Sequence, residues 1–411
     1  MSKNILISSY YANMPGACQA EWLDDKIKSL LKNKHEIVLV SSVCSRPNKN
    51  SDYKHFRTPS ISWHDFNDEI DRMIATKIKI DTYLKILKPV NFVIGGLFDG
   101  ILKIVTKGIG EGRWSWAITS FIAIFITVIR YKVDIIFSTG GPASSHVSSI
   151  IVAKILKKPV IIELQDPLSG GDIGRNEAAR GWLYKVEKFI VKNADKTVYV
   201  TKAAAEYAKL QFNSSKIEAV YPGAWDFKIY PNTSLHKNDV KLKLIHLGSL
   251  YATRTFESII NAIDLLISKG IIQETQIELL NLGHVAPDIK EVISKKSYVT
   301  ILPPVDRQEA LRIATDYDVM LLIQNKDERS QVTIPYKTYD YLNLNNKVLG
   351  LLNSSELTQL LRDAGQMACD LDDIECITKN LESIIKGYHV AQTDKIDAVT
   401  QAEKLITLNS Q

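Results

Sequence analysis

Several catalytic motifs are missing from this chain of 411 residues. There is no GxxxxGK[ST] loop, which argues against a P-loop ATPase, and no HExxH or GxSxG, which argues against a metalloprotease and an α/β-hydrolase. A dinucleotide-dependent enzyme would be expected to carry GxGxxG after a strand, and the sequence has none. These absences weaken all four interpretations.

Cysteine is also scarce, and its four occurrences form no CxxC pair: Cys18, Cys44, Cys369 and Cys376. Their scatter predicts neither a zinc site nor a disulfide framework, and it favours a reducing cytoplasm. The most apolar run, 116–129, is shorter than the about 20 residues that span a bilayer, so it predicts a buried helix. The opening NILISSYY is too short for a secretory signal, and we expect a first buried strand there.

The composition indicates a folded protein of two domains. It is 45% hydrophobic and 24% charged, which excludes a disordered chain. The length suggests two domains of about 200 residues each. A net charge of +5 is compatible with anionic partners, but it does not require nucleic acid and we expect no such partner.

Strand-like and helix-like segments alternate along nearly the whole chain. Apolar strands such as HEIVLVSS, VDIIFST and KPVIIEL are separated by helices, which indicates a parallel sheet covered on both faces. The pattern restarts at LKLIHLGSL, after a stretch rich in Asn, Lys and Pro, 226–241, that is typical of a linker. The sequence therefore predicts an α/β fold with two doubly wound domains facing across a cleft, residues 1–225 and 226–385. A helical tail, 386–411, is expected to pack back toward the first domain.

One long segment, 67–116, interrupts the first domain. Between Lys77 and Lys107 six lysines and two aspartates alternate with apolar residues, and Trp114 and Trp116 follow. Basic amphipathic helices flanked by tryptophan lie in the headgroup layer of a bilayer. We expect this region to attach the protein peripherally to the inner face of the cytoplasmic membrane; a pair of surface helices with solvated lysines is the alternative.

Two loops of the second domain carry candidate phosphate-binding residues. In GSLYATR, Gly248 lets a ligand approach the backbone and Arg254 can hold a phosphate as a fork; a tight turn with a solvent-facing arginine is the alternative. In TIPYKTYDYL, Lys337 and Asp340 share one face of a helix that begins near Pro335, where free N–H groups suit phosphate. Taken alone, a solvated Lys–Asp pair is the simpler explanation of this second pattern.

The first domain places polar residues at the predicted mouth of its sheet. STGGPASSH follows the strand VDIIF and LQDPLSGGD follows PVIIE, so His146 and Asp166 are candidates for contacts with sugar hydroxyls. A histidine with a satisfied partner and a turn aspartate are the alternatives. NMPGACQ adds a turn that contains Gly16 after the first strand.

Together these loops resemble the GT-B retaining glycosyltransferases, specifically the family 4-like bacterial group that builds surface polysaccharides and lipid-linked glycans. GSLYATR is similar to the family's G-[RST]-L-x-x-x-[KR], and PYKTYDYL is similar to P-x-K-x-[FY]-[ED]-Y-[LM]. HEIVLVSS, KNADKTVYVT and YPGAWD are similar to segments of the family's first domain. The resemblance covers almost the whole chain and implies the GT-B fold of two Rossmann-like domains.

The resemblance implies transfer of a sugar from a nucleotide-diphosphate sugar to a hydroxyl of a membrane-borne or lipid-linked glycan, with retention and without a metal or other cofactor. Four residues would act on the reacting groups: His146, Asp166, Arg254 and Lys337. A larger set would bind the nucleotide sugar: Gly16, Gly248, Ser249, Arg254, Gly283, Thr333, Ile334, Pro335, Lys337 and Asp340. Within this set, Asp340 would hold the ribose, and Arg254 and Lys337 would neutralise the diphosphate.

The chain departs from the family pattern at three positions. Many members carry glutamate where this chain has Val332 and Asp340, and a basic residue where it has Ser249. The first two positions are therefore where we look for donor preference. A UDP-sugar 2-epimerase of the same architecture, and a nucleotide-sugar-binding subunit without activity, are the alternative functions.

Overall fold

The computed structural model describes residues 2–14, 18–48, 52–105, 113–170, 176–227, 242–344, 346–387 and 396–408. The chain divides into two compact units, unit 1 (Met1–Pro222 and Ala398–Gln411) and unit 2 (Gly223–Asp397). Each unit contains one parallel sheet with helices, which confirms the predicted α/β class. Most of the predicted linker, 226–241, lies outside the described residues.

The described part of unit 1 contains seven strands: β1 (Asn4–Ser8), β2 (Glu36–Ser42), β3 (Lys54–Thr58), β4 (Ile135–Thr139), β5 (Val160–Leu164), β6 (Lys196–Tyr199) and β7 (Ile217–Ala219). They lie in the order β3-β2-β1-β4-β5-β6-β7, and all pairs are parallel. Its helices are α1 (Cys18–Lys32), α2 (Trp63–Ala75), α3 (Thr82–Val105), α4 (Trp116–Arg130), α5 (Ala143–Leu156), α6 (Glu177–Asn193), α7 (Lys202–Phe212) and, from the end of the chain, α15 (Ala398–Thr407).

The apolar runs of unit 1 form strands because helices cover both faces of the sheet. Ile7 and Phe137 are buried in one core with Leu23 of α1 and Leu405 of α15. Burial of a side chain of this size contributes about 1.5–3 kcal/mol. The last helix therefore completes the core of unit 1, against α1.

The described part of unit 2 contains six parallel strands: β8 (Leu242–Leu247), β9 (Ile277–Leu282), β10 (Val299–Leu302), β11 (Val319–Ile323), β12 (Lys347–Leu352) and β13 (Met367–Asp370). Their order is β10-β9-β8-β11-β12-β13. The helices are α8 (Glu257–Ser268), α9 (Pro287–Ile293), α10 (Arg307–Ala314), α11 (Glu328–Val332), α12 (Lys337–Asn343), α13 (Ser355–Asp363) and α14 (Ile374–Ile385). Ile263 of α8 and Leu381 of α14 meet Leu279 and Leu321 of the sheet in the core.

Helix α4 differs from its predicted environment. The sequence predicted a buried helix, but only the face that carries Trp116 and Ile124 is buried. Ile118, Ile122 and Ile126 of the outer face are 42–56% exposed, because α4 packs against α5 and the sheet through its other face and no element of the described ranges covers the outer one. Among the helices of the described ranges, none is long and apolar enough to cross a membrane.

Two of the cysteines are bonded to each other. Cys369 at the end of β13 and Cys376 in α14 form a disulfide with a Cα–Cα distance of 5.9 Å, so the prediction of no disulfide is wrong for this pair. The spacing escaped a search for CxxC because the short connection from strand to helix brings together residues that lie 7 apart in sequence.

Candidate functional site

The candidate site lies in unit 2, where strand β8 ends. Strand β9 flanks β8 on one side, and β11, reached after β10 and α10, flanks it on the other. The strand order therefore reverses direction next to β8, and ligands of doubly wound sheets bind at the carboxyl ends of strands at such a switch point. Residues from the ends of β8 and β9 and from helix α12 meet here.

Two glycine turns bring the ends of β8 and β9 close together. Gly248 follows β8 with φ 126° and Gly283 follows β9 with φ 152°, conformations that side chains rarely allow. A Cβ on Gly283 would lie 2.3 Å from the carbonyl oxygen of Gly248. Both positions were predicted from the sequence, and the structure shows that they support each other.

Lys337 reaches the Gly248 turn from helix α12. Its Nζ donates to the carbonyl oxygen of Leu247 at 2.9 Å and lies 2.8 Å from His246 Nε2. A Cβ on Gly248 would be 3.8 Å from this ammonium. The structure therefore places the predicted lysine beside the predicted glycine.

Asp340 pairs with Arg307, and not with Lys337 as the simpler explanation of the pattern would have it. Its carboxylate accepts from Arg307 through Nε at 3.0 Å and through Nη2 at 2.5 Å. The guanidinium of Arg307 lies 4.7 Å from the ring of Tyr336 and 4.9 Å from that of Phe227. The Asp340 side chain is only 5% exposed and its carboxylate is held by Arg307; the contact with a ribose stays a prediction.

Arg254 closes the turn that follows β8. Its guanidinium lies 5.1 Å over the ring of Tyr251, and Thr253 Oγ1 accepts from the backbone N–H of Lys326 at 2.7 Å, which ties the turn to the loop after β11. The buried Arg254 Nε has no hydrogen-bond partner among the described residues. A buried donor without an acceptor is costly, and an anionic oxygen of a ligand would satisfy it.

A buried glutamine holds the segment that contains Thr333, Ile334 and Pro335. Gln324 Nε2 donates to the carbonyl oxygens of Ser330 and Thr333 at 3.0 and 3.1 Å, and its Oε1 accepts from the backbone N–H groups of Asn353 and Ser354. Ser330 lies in the short helix α11, and the other three partners lie in the segments that follow α11 and β12. Gln324 therefore fixes the approach to α12, and nothing in its local sequence marked it.

His246 and Asn281 are site residues that the motif comparison missed. They are buried opposite each other on β8 and β9, with His246 Nδ1 2.8 Å from Asn281 Oδ1. A signal was present, since LIHLG and LLNLG repeat the same order of a polar residue, leucine and glycine at a strand end. A polar residue in an otherwise apolar buried strand indicates a specific partner.

The predicted residues of unit 1 are less open than expected. Gly16 lies outside the described residues, and Asp166 is partly exposed in the turn after β5. His146 is only 1% exposed, with Nδ1 2.9 Å from Ser138 Oγ and a hydrogen bond to the backbone of Gly140. Its ring supports the turn after β4 from inside, so the structure does not support the contact with a sugar expected of it.

We expect His146 to make the protein sensitive to acid. Burial lowers the pKa of its imidazole from 6.5 to about 3, so between these values the unfolded state binds more protons and stability falls as the pH falls. Glutamine does not titrate, so His146→Gln serves as the reference. Relative to it, the free energy of unfolding of the wild type should fall by about 2 kcal/mol between pH 6 and pH 4.5, at about 1.4 kcal/mol per pH unit. Denaturant unfolding of both chains over this range measures it; parallel curves would contradict the assignment.

The comparisons with known proteins concern the fold. No family model matches the sequence, and no curated protein matches it. Sucrose-phosphate synthase from Thermosynechococcus elongatus superposes with a TM-score of 0.59 at 11% identity, over 100% of this chain and 98% of that one. A glycosyltransferase from Rickettsia africae gives 0.58 at 12%, over 99% and 94%. HepE of Anabaena in complex with UDP gives 0.56 at 12%, over the whole of both chains.

The fold is GT-B. Its two Rossmann-like domains correspond to the two parallel sheets of this chain, which confirms the predicted fold. A protein of a second activity is also similar: a UDP-GlcNAc 2-epimerase from Methanocaldococcus jannaschii superposes with a TM-score of 0.50 at 12% identity, over 100% of this chain and 99% of that one. In the described ranges no cluster of three or more His, Cys, Asp or Glu side chains could hold a metal ion.

Proposed function

We propose that the protein is a glycosyltransferase that moves a sugar from a nucleotide-diphosphate sugar to a hydroxyl of a membrane-borne or lipid-linked glycan, with retention. The observation that carries this proposal is that Lys337 and Arg254, whose Nε has no hydrogen-bond partner in the described part of the chain, both lie at the Gly248 turn at the switch point of unit 2. Two cations beside an open backbone turn suit a diphosphate. HepE, which has the same fold, was crystallised with UDP and with UDP-glucose, and we infer a uridine donor here.

The chemistry follows from the charge that develops on the leaving group. When the bond from the sugar to the diphosphate breaks, negative charge grows on the phosphate oxygens. Lys337 is fixed by two acceptors before the reaction, and such preorganised donors stabilise the transition state without reorganisation. We propose that Lys337 and Arg254 supply this stabilisation without a metal, with Ser249 and the segment 333–335 completing the nucleotide site. Asp166 would contact the acceptor hydroxyl, and His146 would hold the loop after β4.

A thermal-shift screen followed by a product assay tests the proposal. A ligand that binds only the native state raises the melting temperature, so UDP and one or more UDP-sugars should do so and the matched nucleosides should not. The selected UDP-sugar is then incubated with a bacterial lipid extract. Transfer of labelled sugar to lipid supports the proposal, whereas formation of the 2-epimer without an acceptor would replace it by the epimerase.

The proposal that the acceptor is membrane-borne rests on an exposed apolar stripe of α3. At 100° per residue, six apolar side chains fall within about 80° of one another on this helix, and they are 51–79% exposed: Ile86, Val90, Val93, Leu97, Ile101 and Ile104. Gly95 lies on the opposite face, where a Cβ would be 2.6 Å from the backbone nitrogen of Trp63 at the start of α2. Helix α3 thus packs on α2 through one face and presents the other, as a helix in the bilayer interface would.

We expect Leu97→Glu to weaken binding to vesicles of phosphatidylglycerol and phosphatidylcholine by about tenfold, because it removes apolar contact and adds repulsion from anionic lipid. The matched control is Leu210→Glu, which changes an exposed leucine of α7. Co-sedimentation with vesicles measures both. Equal binding by the two variants would show that the stripe does not contact the membrane.

A further inference from the structure

His246 and Asn281 form a buried polar pair that core packing alone does not explain. They lie opposite each other in the ladder of β8 and β9 and neither is accessible to solvent. Burying polar groups among Ile and Leu side chains costs free energy unless each group has a partner. The hydrogen-bond partners of His246 and Asn281 therefore indicate the role of the pair.

The hydrogen bonds of this pair fix its proton positions. Asn281 Nδ2 donates to the carbonyl oxygen of Gly283 at 3.1 Å, which turns Asn281 Oδ1 toward His246 Nδ1 at 2.8 Å. An amide oxygen only accepts, so Nδ1 carries the ring proton. His246 Nε2 is then an acceptor, and the ammonium of Lys337 donates to it at 2.8 Å.

We propose that His246 and Asn281 are positioning residues for Lys337, which hold its ammonium beside the Gly248 turn where the leaving diphosphate binds. This inference rests on the proposed function. The chain of hydrogen bonds runs from Lys337 through His246 and Asn281 to Gly283, and each donor faces an acceptor. This chain of hydrogen bonds, called the relay below, thus links the ammonium of Lys337 to the turn after β9, which itself supports the Gly248 turn.

A neutral ring is essential to this role, because a protonated imidazole could not accept from Lys337 and would repel it. Burial holds the pKa of His246 well below 6.5, the charges of Lys337 and Arg254 lower it further, and the hydrogen bond to Asn281 acts in the opposite direction. Leucine at position 246 would fill the core but would leave both Asn281 Oδ1 and Lys337 without this partner. Glutamine could donate to Asn281 and accept from Lys337 through one amide group.

Calorimetric titration of the full chain with UDP tests the relay through a double-mutant cycle. His246→Leu should weaken UDP binding by about tenfold, the loss expected when a charged donor is no longer held in place. His246→Gln should weaken it by clearly less than His246→Leu. In a Lys337→Ala background, His246→Leu should have no further effect, since it acts through the lysine. Equal losses from the leucine and glutamine variants, or additive losses in the double variant, would overturn the proposal.

Nitrogen NMR of histidine-labelled protein without nucleotide tests the geometry separately. We expect the Nδ1–H tautomer for His246, and a shift of its Nε2 resonance in Lys337→Ala, where the donor is gone. The Nε2–H tautomer, or an unchanged Nε2 resonance, would overturn the relay itself. If NMR shows these hydrogen bonds but the chain does not bind UDP, the nucleotide site on which the inference rests is wrong, and the inference is overturned with it. This result differs from a failure of the geometry, in which NMR would not show the hydrogen bonds. Melting temperatures of all variants confirm that each is folded.

Discussion

Lys337→Ala should weaken UDP binding by about 100-fold, because it removes the donor of the proposed charge-assisted hydrogen bond to the diphosphate and a hydrogen bond of this kind is worth about 1.5–3 kcal/mol. The ammonium is fixed by Leu247 O and His246 Nε2 before any ligand arrives. The Lys337 side chain therefore does not have to be ordered when UDP binds, and the contribution of Lys337 to the binding free energy is not reduced by that entropic cost. Calorimetric titration with UDP at fixed ionic strength measures the loss.

Two further lysine variants separate geometry from charge. Lys326→Ala removes an equal charge from an exposed lysine of the same unit that pairs with Asp372, and it should bind UDP nearly as the wild type does. Lys337→Arg keeps the charge, but a planar guanidinium does not replace a compact ammonium between two acceptors, so we expect a loss of about tenfold. If Lys337→Ala and Lys326→Ala bound UDP equally, the phosphate role of Lys337 would be wrong.

Gly283→Ala should have the largest effect on stability of any single methyl group added to the site. The new Cβ would lie 2.3 Å from the carbonyl oxygen and 2.6 Å from the carbonyl carbon of Gly248, and these are backbone atoms that cannot rotate away. Overpacking of this kind together with backbone strain costs about 4 kcal/mol. A chain that still folds must shift the Gly248 turn or the Gly283 turn, and because Lys337 contacts the Gly248 turn we expect it also to lose affinity for UDP.

A glycine variant at a second position separates the steric clash at Gly283 from the strain of a positive φ. Gly270 also has a positive φ, +68°, but a Cβ there would meet nothing within 4 Å. Gly270→Ala should therefore cost only the conformational strain, about 1–2 kcal/mol, and leave UDP binding unchanged. Thermal and denaturant unfolding of both variants measure the difference. Equal destabilisation would mean that the two turns do not touch as the structure shows.

The fold and the site loops could be predicted because they depend on local patterns. Apolar strands that alternate with helices require a covered parallel sheet, and a glycine at a strand end followed by basic residues marks a phosphate loop. Gly248 and Arg254 were predicted in this way and Lys337 from its position at the start of a helix, whereas Gly283 was implied by the family resemblance.

Residues whose roles depend on distant partners could not be predicted. Asp340 lies three residues from Lys337, yet its partner is Arg307, 33 residues away in sequence. The buried face of α4 depends on its contacts with α5 and the sheet, so its composition alone suggested full burial. The position of His146 under the Gly140 turn likewise follows from the path of the chain after β4 and from no local motif. Only the pair His246 and Asn281 left a signal, in the repeated pattern LIHLG and LLNLG.

The central claim is that unit 2 binds a diphosphate group through Lys337 and Arg254. Calorimetric titration of the wild-type chain with UDP and with uridine, in the presence of a chelator, tests it most directly. We expect UDP to bind at least about 100-fold more tightly than uridine, since only UDP presents charge to the two cations, and we expect the chelator to have no effect. Equal affinities for UDP and uridine, or binding of UDP that the chelator abolishes, would contradict the account.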